Sequence, residues 1–460
     1  MAAHTDILSA SRTDLLEIAT DVVARAMRAG ATAAEAIARD GTEFSTTVRM
    51  GQVETLKEAG GRGVGLRVFK GKRAASTYSS DFSEDGISQL VKGATALAAV
   101  TSEDPMAGLP DASELGQISG DLQLYYDDVY SLPPQERIEY ARRGERTALD
   151  YDPRIKNSDG AGFDATTGQK ALASSLGFAG EYRGSHCSIY VTAIAQAENG
   201  GMQRDYWYST ARTLKKLESP EAVGRIAAQR TLRRLGARKI ASTKVPVVLD
   251  RTVAASFLGS IFDAASGDAI YRQSSFLCGK LGERIAGENV TIIDDGIMPG
   301  GFGTRPFDGE GVPTKRTTVV ENGVLKSYLL NTYTARKLGL KTTGNAARGL
   351  TGNPGIGSGN FFLQPGERTP EQIIAGIKQG LLVTEFLGFG VNLVTGDYSR
   401  GASGLWIENG ELAYPVEEVT VGGNLKDMLN GISEIGNDLE FRGATACPTL
   451  RIDGMTIAGE

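Results

Sequence analysis

The chain has 460 residues, of which 41% are hydrophobic and 23% are charged, and its formal net charge is −6. This composition indicates a globular chain that is long enough for two or three domains, each with its own core. The negative net charge argues against a nucleic-acid partner, because affinity for phosphates depends on clustered Lys and Arg side chains.

The first hundred residues predict a helix, an antiparallel meander and a second helix. Apolar residues recur at spacings of three and four over residues 12–29 and 84–100, which is the helical period. Strands separated by short glycine-containing connectors are predicted between these helices, over residues 44–50, 53–58 and 63–69. This order is typical of an α+β unit, and residues 101–117 follow it as a candidate linker.

The middle of the chain predicts β-structure flanked by helices. A strand is predicted over residues 122–129, and a pair of prolines then favours a helix over residues 134–149. Residues 155–208 have a strand-like pattern that glycines interrupt. Ser219 is placed as the N-cap of a further helix over residues 220–235.

The last part of the chain predicts further strands and two hairpins. Asn322-Gly323 and Asn409-Gly410 each separate two strand-like segments, and this dipeptide is typical of a two-residue hairpin turn. The predicted strands are residues 245–249, 291–294, 317–321, 324–329, 405–408 and 411–416. The predicted helices are residues 252–265 and 370–380. We therefore predict an α+β fold with domains at residues 1–118, 119–236 and 237–460.

Only two histidines, His4 and His186, occur in the chain. A common zinc hydrolase site needs two or three imidazoles around one metal, usually from a helix with H-E-x-x-H or a related motif. His4 belongs to the N-terminal tail, so the chain does not supply such a pair. We expect its chemistry to come from carboxylates, hydroxyls and backbone groups, or from a partner.

The neighbours His186 and Cys187 suggest a base and a nucleophile, but residues 185–195 alternate as a strand does. Adjacent side chains of a strand point to opposite faces, so we expect these two to diverge.

Cys187, Cys278 and Cys447 lie far apart without a C-x-x-C motif, which fits a reducing compartment. Without a recognisable signal peptide or a stretch of about 18 apolar residues, we expect a cytoplasmic protein and no membrane partner.

The densest group of charged side chains falls in residues 291–316, a segment rich in glycine and proline. Paired carboxylates on such loops bind Ca²⁺ or Mg²⁺, or serve as acid and base. Carboxylates also cap turns and form ion pairs with Arg, which is a purely structural role. The candidate residues of this segment are Asp294, Asp295, Arg305, Asp308 and Glu310.

A second polar group lies on a segment that glycines flank, and its candidates are Asn392, Asp397 and Arg400. Polar residues on such a loop can line a cleft. The alternative is an ordinary loop that only connects two strands or helices. The sequence leaves both interpretations open.

Three long segments together resemble the TldD/PmbA family, and most closely its PmbA branch, also called TldE. They are IIDDGIMPGGFGTRPFDGEGVPTKRT at 292–317, NGVLKSYLLNTYTARKLGLKTTGNAARG at 322–349, and ENGELAYPVEEVTVGGNLKDMLNGISEIGNDLEFRGATACPTLRI at 408–452. The resemblance covers most of residues 33–459 in order. It implies a cytoplasmic metallopeptidase component of the kind historically labelled a modulator of DNA gyrase, with a large, strongly curved β region of mixed and antiparallel strands in the C-terminal domain.

The same resemblance predicts that this chain lacks its own zinc site. TldD-type members carry H-E-x-x-x-H on a helix just before a Gly-Asp pair, and that pair is matched here by Gly267-Asp268. Leu258, Gly259 and Asp263 then stand where the first His, the Glu and the second His would be. A leucine does not bind zinc, and a lone aspartate is a poor site. The resemblance therefore implies no catalytic residue and no zinc in this chain, and zinc in a TldD-type partner.

Three functional hypotheses follow. The first is a TldE-type subunit of a TldD–TldE metallopeptidase that cleaves unfolded or extended peptides, including peptide-toxin precursors and antitoxins, with both polar segments lining the substrate chamber. The second is a homodimeric, non-catalytic protein that binds peptides or serves as a scaffold. The third is an independent hydrolase in which Asp294, Asp308 and Glu310 hold a hard cation.

Overall fold

The computed structural model describes residues 14–459, and the predicted helix start at residue 12 and His4 lie outside that range. The N-terminal half of the chain is built on one six-stranded sheet in which every neighbouring pair is antiparallel. Its strands are β1 Ala33–Arg49, β2 Gln52–Lys70, β3 Arg73–Ser79, β4 Ile155–Ser174, β5 Ala179–Gln196 and β6 Met202–Ala211, and their order is β3-β2-β1-β4-β5-β6.

Four helices pack against this sheet: α1 Leu15–Arg28, α2 Glu84–Val100, α3 Pro134–Leu149 and α4 Pro220–Leu232. Side chains alternate along a strand, so one face of β1 carries Ala36 and Phe44 and the other carries Glu35 and Ile37. The helices cover the first face, where two apolar clusters form the core. The second face packs against residues of the C-terminal half, including Phe307.

Local signals in the sequence set the ends of several helices. Ser83 and Ser219 accept hydrogen bonds from the backbone amides of Gly86 and Ala222, so each caps the helix that follows it. The helices predicted over 84–100 and 134–149 are confirmed with the same bounds, and the helix predicted over 220–235 ends at Leu232.

Two predicted features of this half are wrong. The meander does not break at 60–62, because β2 runs through Gly60 and Gly61, which pair with Thr42 and Gly41 of β1. Residues 122–129 do not form a strand, and Asp127–Tyr130 is a short 3-10 turn. This segment makes isolated backbone hydrogen bonds and no β-ladder. The Gly300 amide donates to the Leu122 carbonyl, and the Ser185 amide donates to the Leu124 carbonyl.

The C-terminal half contains the remaining strands and helices of the described chain. The strands are β7 Thr243–Leu249, β8 Ile292–Asp295, β9 Arg316–Glu321, β10 Val324–Leu325, β11 Ala346–Ala347, β12 Gly355–Ile356, β13 Asn360–Leu363, β14 Gln379–Leu387, β15 Asp397–Glu408, β16 Glu411–Asn424, β17 Ile432–Ile435, β18 Thr445–Ala446 and β19 Leu450–Ala458. The helices are α5 Arg251–Ala265, α6 Gly267–Tyr271, α7 Thr332–Leu338, α8 Pro370–Ala375 and α9 Leu425–Asn430.

A curved mixed sheet forms the centre of this half. Its strand order is β16-β15-β14-β7-β19-β17, and β16 also pairs with β19, so five of its strands close into a barrel. The β7–β14 pair is parallel and the other pairs are antiparallel. A second sheet has the order β10-β9-β8-β13-β18. Helix α5 follows β7 directly and contributes Phe257, Leu258 and Ile261 to the main core.

Both predicted hairpins are confirmed. Asn322 and Gly323 have φ values of 46° and 81°, and Asn409 and Gly410 have 51° and 84°, the left-handed pair that a type I′ turn requires. The strand predicted over 324–329 is shorter, and the helix predicted over 370–380 ends at Ala375 because β14 begins at Gln379 and pairs with β15. Within the range 14–459, no helix is long and apolar enough to span a membrane.

Candidate functional site

Helix α5 carries the residues that the sequence places at degenerate metal-ligand positions. Asp250 caps the helix by accepting a hydrogen bond of 2.9 Å from the Thr252 amide. Leu258 is 1% exposed and lies in the main core. Asp263 follows five residues later, so its side chain lies about 140° further around the helix axis and reaches the surface. Of these two side chains, Asp263 alone carries an atom that can bind a metal.

The donor set on α5 does not fit a zinc ion. Asp263 is the one carboxylate among the three positions, and burial raises its pKa, which disfavours the charged form that binds a metal. Gly259 has no side chain, and a Cβ built there meets no atom within 4 Å. Across residues 14–459, no group of three or more His, Cys, Asp and Glu side chains is arranged to hold a metal ion.

Three cavities lie along the junction between β6 and loops of the C-terminal half. The α5 cavity, about 190 Å³, is lined by Thr252 and Ala255 of α5 and by Tyr208 of β6. The central cavity, about 330 Å³, shares Glu440 and Arg442 with it. We call the row of three cavities the junction groove; its third member is the arginine cavity.

The arginine cavity, about 170 Å³, continues the junction groove beyond the central cavity, with which it shares Arg212 and Phe302. Arg183 and Arg305 also line it. The groove therefore leads from the first turns of α5, past the end of β6, to a pocket that three arginines line.

Arg442 separates the α5 cavity from the central cavity. Its guanidinium lies 3.1 Å from Glu218, 2.8 Å from Glu440 and 3.9 Å from the centre of the Trp207 ring. It also donates to the carbonyl of Tyr208 on β6. Ion pairing together with stacking on an aromatic face fixes an arginine more firmly than either alone, so this wall of the groove is rigid.

Arg212 fixes the glycine-rich loop that forms the opposite wall. Its guanidinium donates to the carbonyls of Gly300, Gly301 and Phe302, with a shortest distance of 2.7 Å, and on its other side to the carbonyls of Leu124 and Ser185. Burial lowers the pKa of Arg212, whose partners are all neutral carbonyls. The loop is thereby attached to the end of β6.

The acidic candidates Asp294, Asp308 and Glu310 are buried at 1–2% exposure and lie away from the groove's surface. Asp308 accepts from the amides of Glu310, Val312 and Ala346 at 2.9–3.0 Å, and Glu310 accepts from the Thr332 amide at 2.9 Å. These bonds hold the loop's backbone.

Burial controls the ionisation of the same three carboxyl groups. It raises the pKa of Asp294 to about 6. It also raises the pKa of Asp308 and of Glu310, and the Asp308 charge raises that of Glu310 further. These buried side chains bind backbone amides and so have a structural role. Within residues 14–459, no three acidic, His or Cys side chains are grouped to hold a metal ion, so the hard-cation hypothesis gains no support.

Asp295 and Arg305 differ from these three. The Asp295 carboxylate is 2.9 Å from Arg316 and accepts from the Ile297 amide, which makes it a turn-stabilising ion pair. Arg305 donates to the carbonyls of Ser358 and Gly357 and faces the arginine cavity. Of the five candidates in this segment, Arg305 is the one that the structure places at the groove.

The second polar segment lies beside α5. Arg400 donates to the Ser256 hydroxyl of α5 at 3.0 Å and stacks 4.6 Å from the centre of the Phe386 ring. Asn392 and Asp397 are exposed; Asn392 caps a turn through the Val394 amide, and Asp397 accepts from Thr395. The segment is therefore an ordinary turn that Arg400 anchors to the degenerate metal helix.

His186 and Cys187 diverge, as their strand pattern predicts. Cys187 is fully buried in the core under the helices, and burial raises its pKa to about 12. His186 points to the other face of β5, where its Nε2 lies 2.6 Å from the Thr210 hydroxyl beside the central cavity. The pair does not form a nucleophile and base.

The sequence analysis missed the residues that shape the junction groove, namely Arg183, Trp207, Arg212 and Arg442. Arg183, Trp207 and Arg212 lie outside the three segments that carry the family resemblance. Arg212 and Arg442 find partners 88 and 234 residues away, at Gly300 and Tyr208. The nearest signal was the run Trp207-Tyr208, which places two aromatic rings at the end of a predicted strand region.

Comparison with known proteins finds relatives of one family along nearly the whole chain. Family models match residues 34–98 (PmbA/TldA metallopeptidase domain 1), 127–235 (central domain) and 242–459 (C-terminal domain). The metalloprotease PmbA of Escherichia coli O157:H7 is 40% identical over 419 residues, 91% of this chain and 90% of that protein. The metalloprotease PmbA homolog of Haemophilus influenzae is 34% identical, over 99% of this chain and 98% of that protein.

A solved structure shares the fold. The crystal structure of a candidate modulator of DNA gyrase from Bacteroides thetaiotaomicron superposes with a TM-score of 0.90 at 29% identity. It covers 96% of this chain and 98% of its own. The closed β region and the N-terminal sheet therefore occur together in a relative.

Proposed function

Because the chain belongs to the PmbA/TldD metallopeptidase family, we propose that it is the TldE-type subunit of a metallopeptidase that cleaves unfolded or extended peptides. In this assembly, a TldD-type partner holds the catalytic zinc. This chain shapes the substrate chamber and contributes no metal ligand.

The proposal rests on the side chains that α5 carries at the positions of the family's zinc ligands. Zinc in hydrolases is bound by imidazole, thiolate and carboxylate groups that converge on one point. Leu258 and Gly259 carry no ligand atom and Asp263 supplies a single carboxylate, so this helix lacks the donors that a zinc site needs. The partner's zinc would activate a water molecule for attack on the peptide carbonyl. This chain's own residues bind and orient the peptide.

The junction groove supports the peptide-binding part of the proposal. Along the described chain, β6 is the last strand of its sheet, and its end residues Ser209, Thr210 and Ala211 line the central cavity. An extended peptide can add to the edge of a sheet through main-chain hydrogen bonds. These bonds involve no side chains, so peptides of many different sequences can form them. Unfolded substrates, including peptide-toxin precursors and antitoxins in the cytoplasm, can bind in this way. Asn392, Asp397 and Arg400 are proposed to border the path beside α5.

Purification of the chain alone and together with a cognate TldD-type protein tests the proposal. We expect zinc and hydrolysis of an unfolded protein such as casein in the pair, with the zinc lost when the partner's H-E-x-x-x-H histidines are replaced. We expect neither in this chain alone. As a control, G259E on α5 should leave the activity of the pair and its zinc content unchanged.

Two results would contradict this assignment. Stoichiometric zinc and proteolysis in the isolated chain would show that it holds its own catalytic site. A stable homodimer that binds peptide and does not associate with any H-E-x-x-x-H relative would favour the non-catalytic peptide-binding protein.

A further inference from the structure

The arginine cavity carries positive charge that no acidic side chain on its wall offsets. Arg183, Arg212 and Arg305 line this space of about 170 Å³, and the wall contains no Asp or Glu. The space is several times the volume of a water molecule in the liquid, about 30 Å³, so it can hold a small anionic group.

Each arginine is held in place by neutral groups. Arg212 and Arg305 donate to backbone carbonyls, and Arg183 lies 3.6 Å from the centre of the Tyr125 ring. Within residues 14–459, none of the three has a carboxylate within 4.0 Å. The Nε of Arg305 is buried without a hydrogen-bond partner. Three guanidinium groups are thus oriented before any ligand arrives.

The nearest acidic groups offset little of this charge. Asp294 and Asp308 interact electrostatically with Arg305, but both lie beyond ion-pair distance and make their hydrogen bonds to other groups. Arg183 is exposed and has no carboxylate partner in the described chain, and the buried Nε of Arg305 lacks an acceptor. An anion with two oxygens is the natural partner of a guanidinium. The cavity is therefore set up for a carboxylate or another oxyanion.

The neighbouring cavities indicate which kind of anion fits the arginine cavity. It shares the wall residues Arg212 and Phe302 with the central cavity, which in turn shares Glu440 and Arg442 with the α5 cavity. A free ion would occupy the pocket alone, whereas a carboxylate at the end of a chain fits both the pocket and the groove that leads to it.

We propose that the arginine cavity binds the C-terminal carboxylate of an extended peptide that lies along the junction groove. This inference rests on the proposed function and names one of its subsites. The peptide's end is held by Arg183 and Arg305 beside the positive charge of Arg212, and its preceding residues run past the end of β6 toward α5. The subunit would thus favour substrates with a free C-terminus.

Fluorescence anisotropy tests the subsite with one unstructured ten-residue peptide in two forms, as the free acid and as the C-terminal amide. The peptide contains no Asp or Glu and is labelled at its N-terminus. Binding is measured to the full chain and to its complex with the TldD-type partner. We expect the acid to bind about tenfold more tightly, a factor that corresponds to about 1.4 kcal/mol.

Arg183 is the residue to change, because Arg212 and Arg305 also hold loops. R183Q should abolish the preference for the acid, and R183K, which keeps a point charge but loses the planar fork, should retain part of it. The matched control is R204Q, which removes an exposed arginine of β6 that pairs with Asp159 of β4. It should leave the preference intact.

Three outcomes overturn the inference. Equal binding of acid and amide by the unaltered protein removes the carboxylate subsite while leaving peptide binding, and hence the proposed function, in place. A preference that survives in R183Q places the carboxylate elsewhere. Inorganic phosphate that binds in an Arg183-dependent manner without any acid preference assigns the pocket to a free anion. Failure of both peptides to bind either preparation would instead count against the proposed function itself.

Discussion

The guanidinium of Arg348 lies 2.5 Å from the carboxylate of Glu35, and the side chains of both residues are fully buried. Glu35 is on β1 of the N-terminal sheet, and Arg348 follows β11, 313 residues later. Arg67 of β2 lies 2.7 Å from the same carboxylate and 3.7 Å from that of Glu310. This cluster of two acids and two arginines joins the two halves of the molecule.

Breaking this cluster should destabilise the protein strongly. E35Q or R348M leaves a buried charge without its partner, which typically costs about 3–5 kcal/mol. The double variant should cost less than the sum of the two single changes, because the two residues interact directly. Urea denaturation followed by tryptophan fluorescence measures the free energy of unfolding. R73A, which removes an exposed partner of Glu103, is the control and should have little effect. Additive effects of E35Q and R348M would contradict the direct coupling.

The stability of the protein should depend on pH through Asp294. Burial raises the pKa of this carboxyl from 3.8 to about 6. Between these values the folded state keeps a proton that the unfolded chain has released, so the favourable contribution is present below about pH 4 and is lost as the pH rises through 6. D294N removes this titration. Relative to the unaltered protein, it should therefore gain stability on the order of 1 kcal/mol between pH 5 and pH 8. A stability difference that is the same at both pH values would show that Asp294 titrates normally.

The three cysteines should differ in reactivity. Burial raises the pKa of Cys187 to about 12 and that of Cys447 well above its ordinary value, so both stay protonated thiols at pH 8. Cys278 is partly exposed. A chromogenic disulfide reagent should detect one fast-reacting thiol in the native protein and three in guanidinium chloride, and C278A should remove the fast one. Rapid labelling of Cys187 in the native state would disprove this order.

Two glycines inside helices should respond to alanine in opposite directions. In α5, a Cβ at Gly259 meets no atom within 4 Å, so G259A should stabilise the protein by about 0.5–1 kcal/mol through the higher helix propensity of alanine. In α4, a Cβ at Gly224 would lie 2.2 Å from the Gly144 carbonyl of α3, so G224A should force the two helices apart. Thermal unfolding compares the two. A loss of stability in G259A would show that this face of α5 is packed more tightly than described.

The sequence predicted the parts of the fold that depend on local chemistry. Ser83 and Ser219 each accept from the amide three residues ahead, and the Asn-Gly turns need only their own backbone angles, so these elements were predicted with nearly correct bounds. The continuity of β2 was missed because it depends on pairing with β1, where Gly60 and Gly61 lie opposite Thr42 and Gly41.

The candidate site was predicted less well, for the same physical reason. The run from Asp294 to Glu310 reads as an exposed acidic loop, but Asn345 and Arg67 cover it from distant parts of the chain. Burial of a carboxylate is a property of its neighbours, so a local pattern does not indicate it. The degenerate positions on α5, in contrast, follow from residue type alone, because leucine offers no metal ligand in any environment.

The glycine-rich loop of the junction groove should lose its order when Arg212 is replaced. Arg212 donates to three successive carbonyls of residues 300–302, and a hydrogen bond from a charged donor contributes about 1.5–3 kcal/mol. R212Q removes most of these bonds but leaves the β5–β6 ladder in place. Local opening should therefore become more frequent in the loop without unfolding the sheet.

Amide hydrogen exchange followed by mass spectrometry separates the two effects. The amides of Gly300 and Gly301, which donate to Leu122 and Met298, should exchange at least about tenfold faster in R212Q, since about 1.4 kcal/mol corresponds to that factor. The peptides of β5 and β6 should be unchanged. R204Q removes an exposed arginine from β6, the strand that Arg212 follows, so its exchange pattern should match that of the unaltered protein. Equal protection of the loop in R212Q would mean that the loop's own turns, rather than Arg212, hold this wall of the groove.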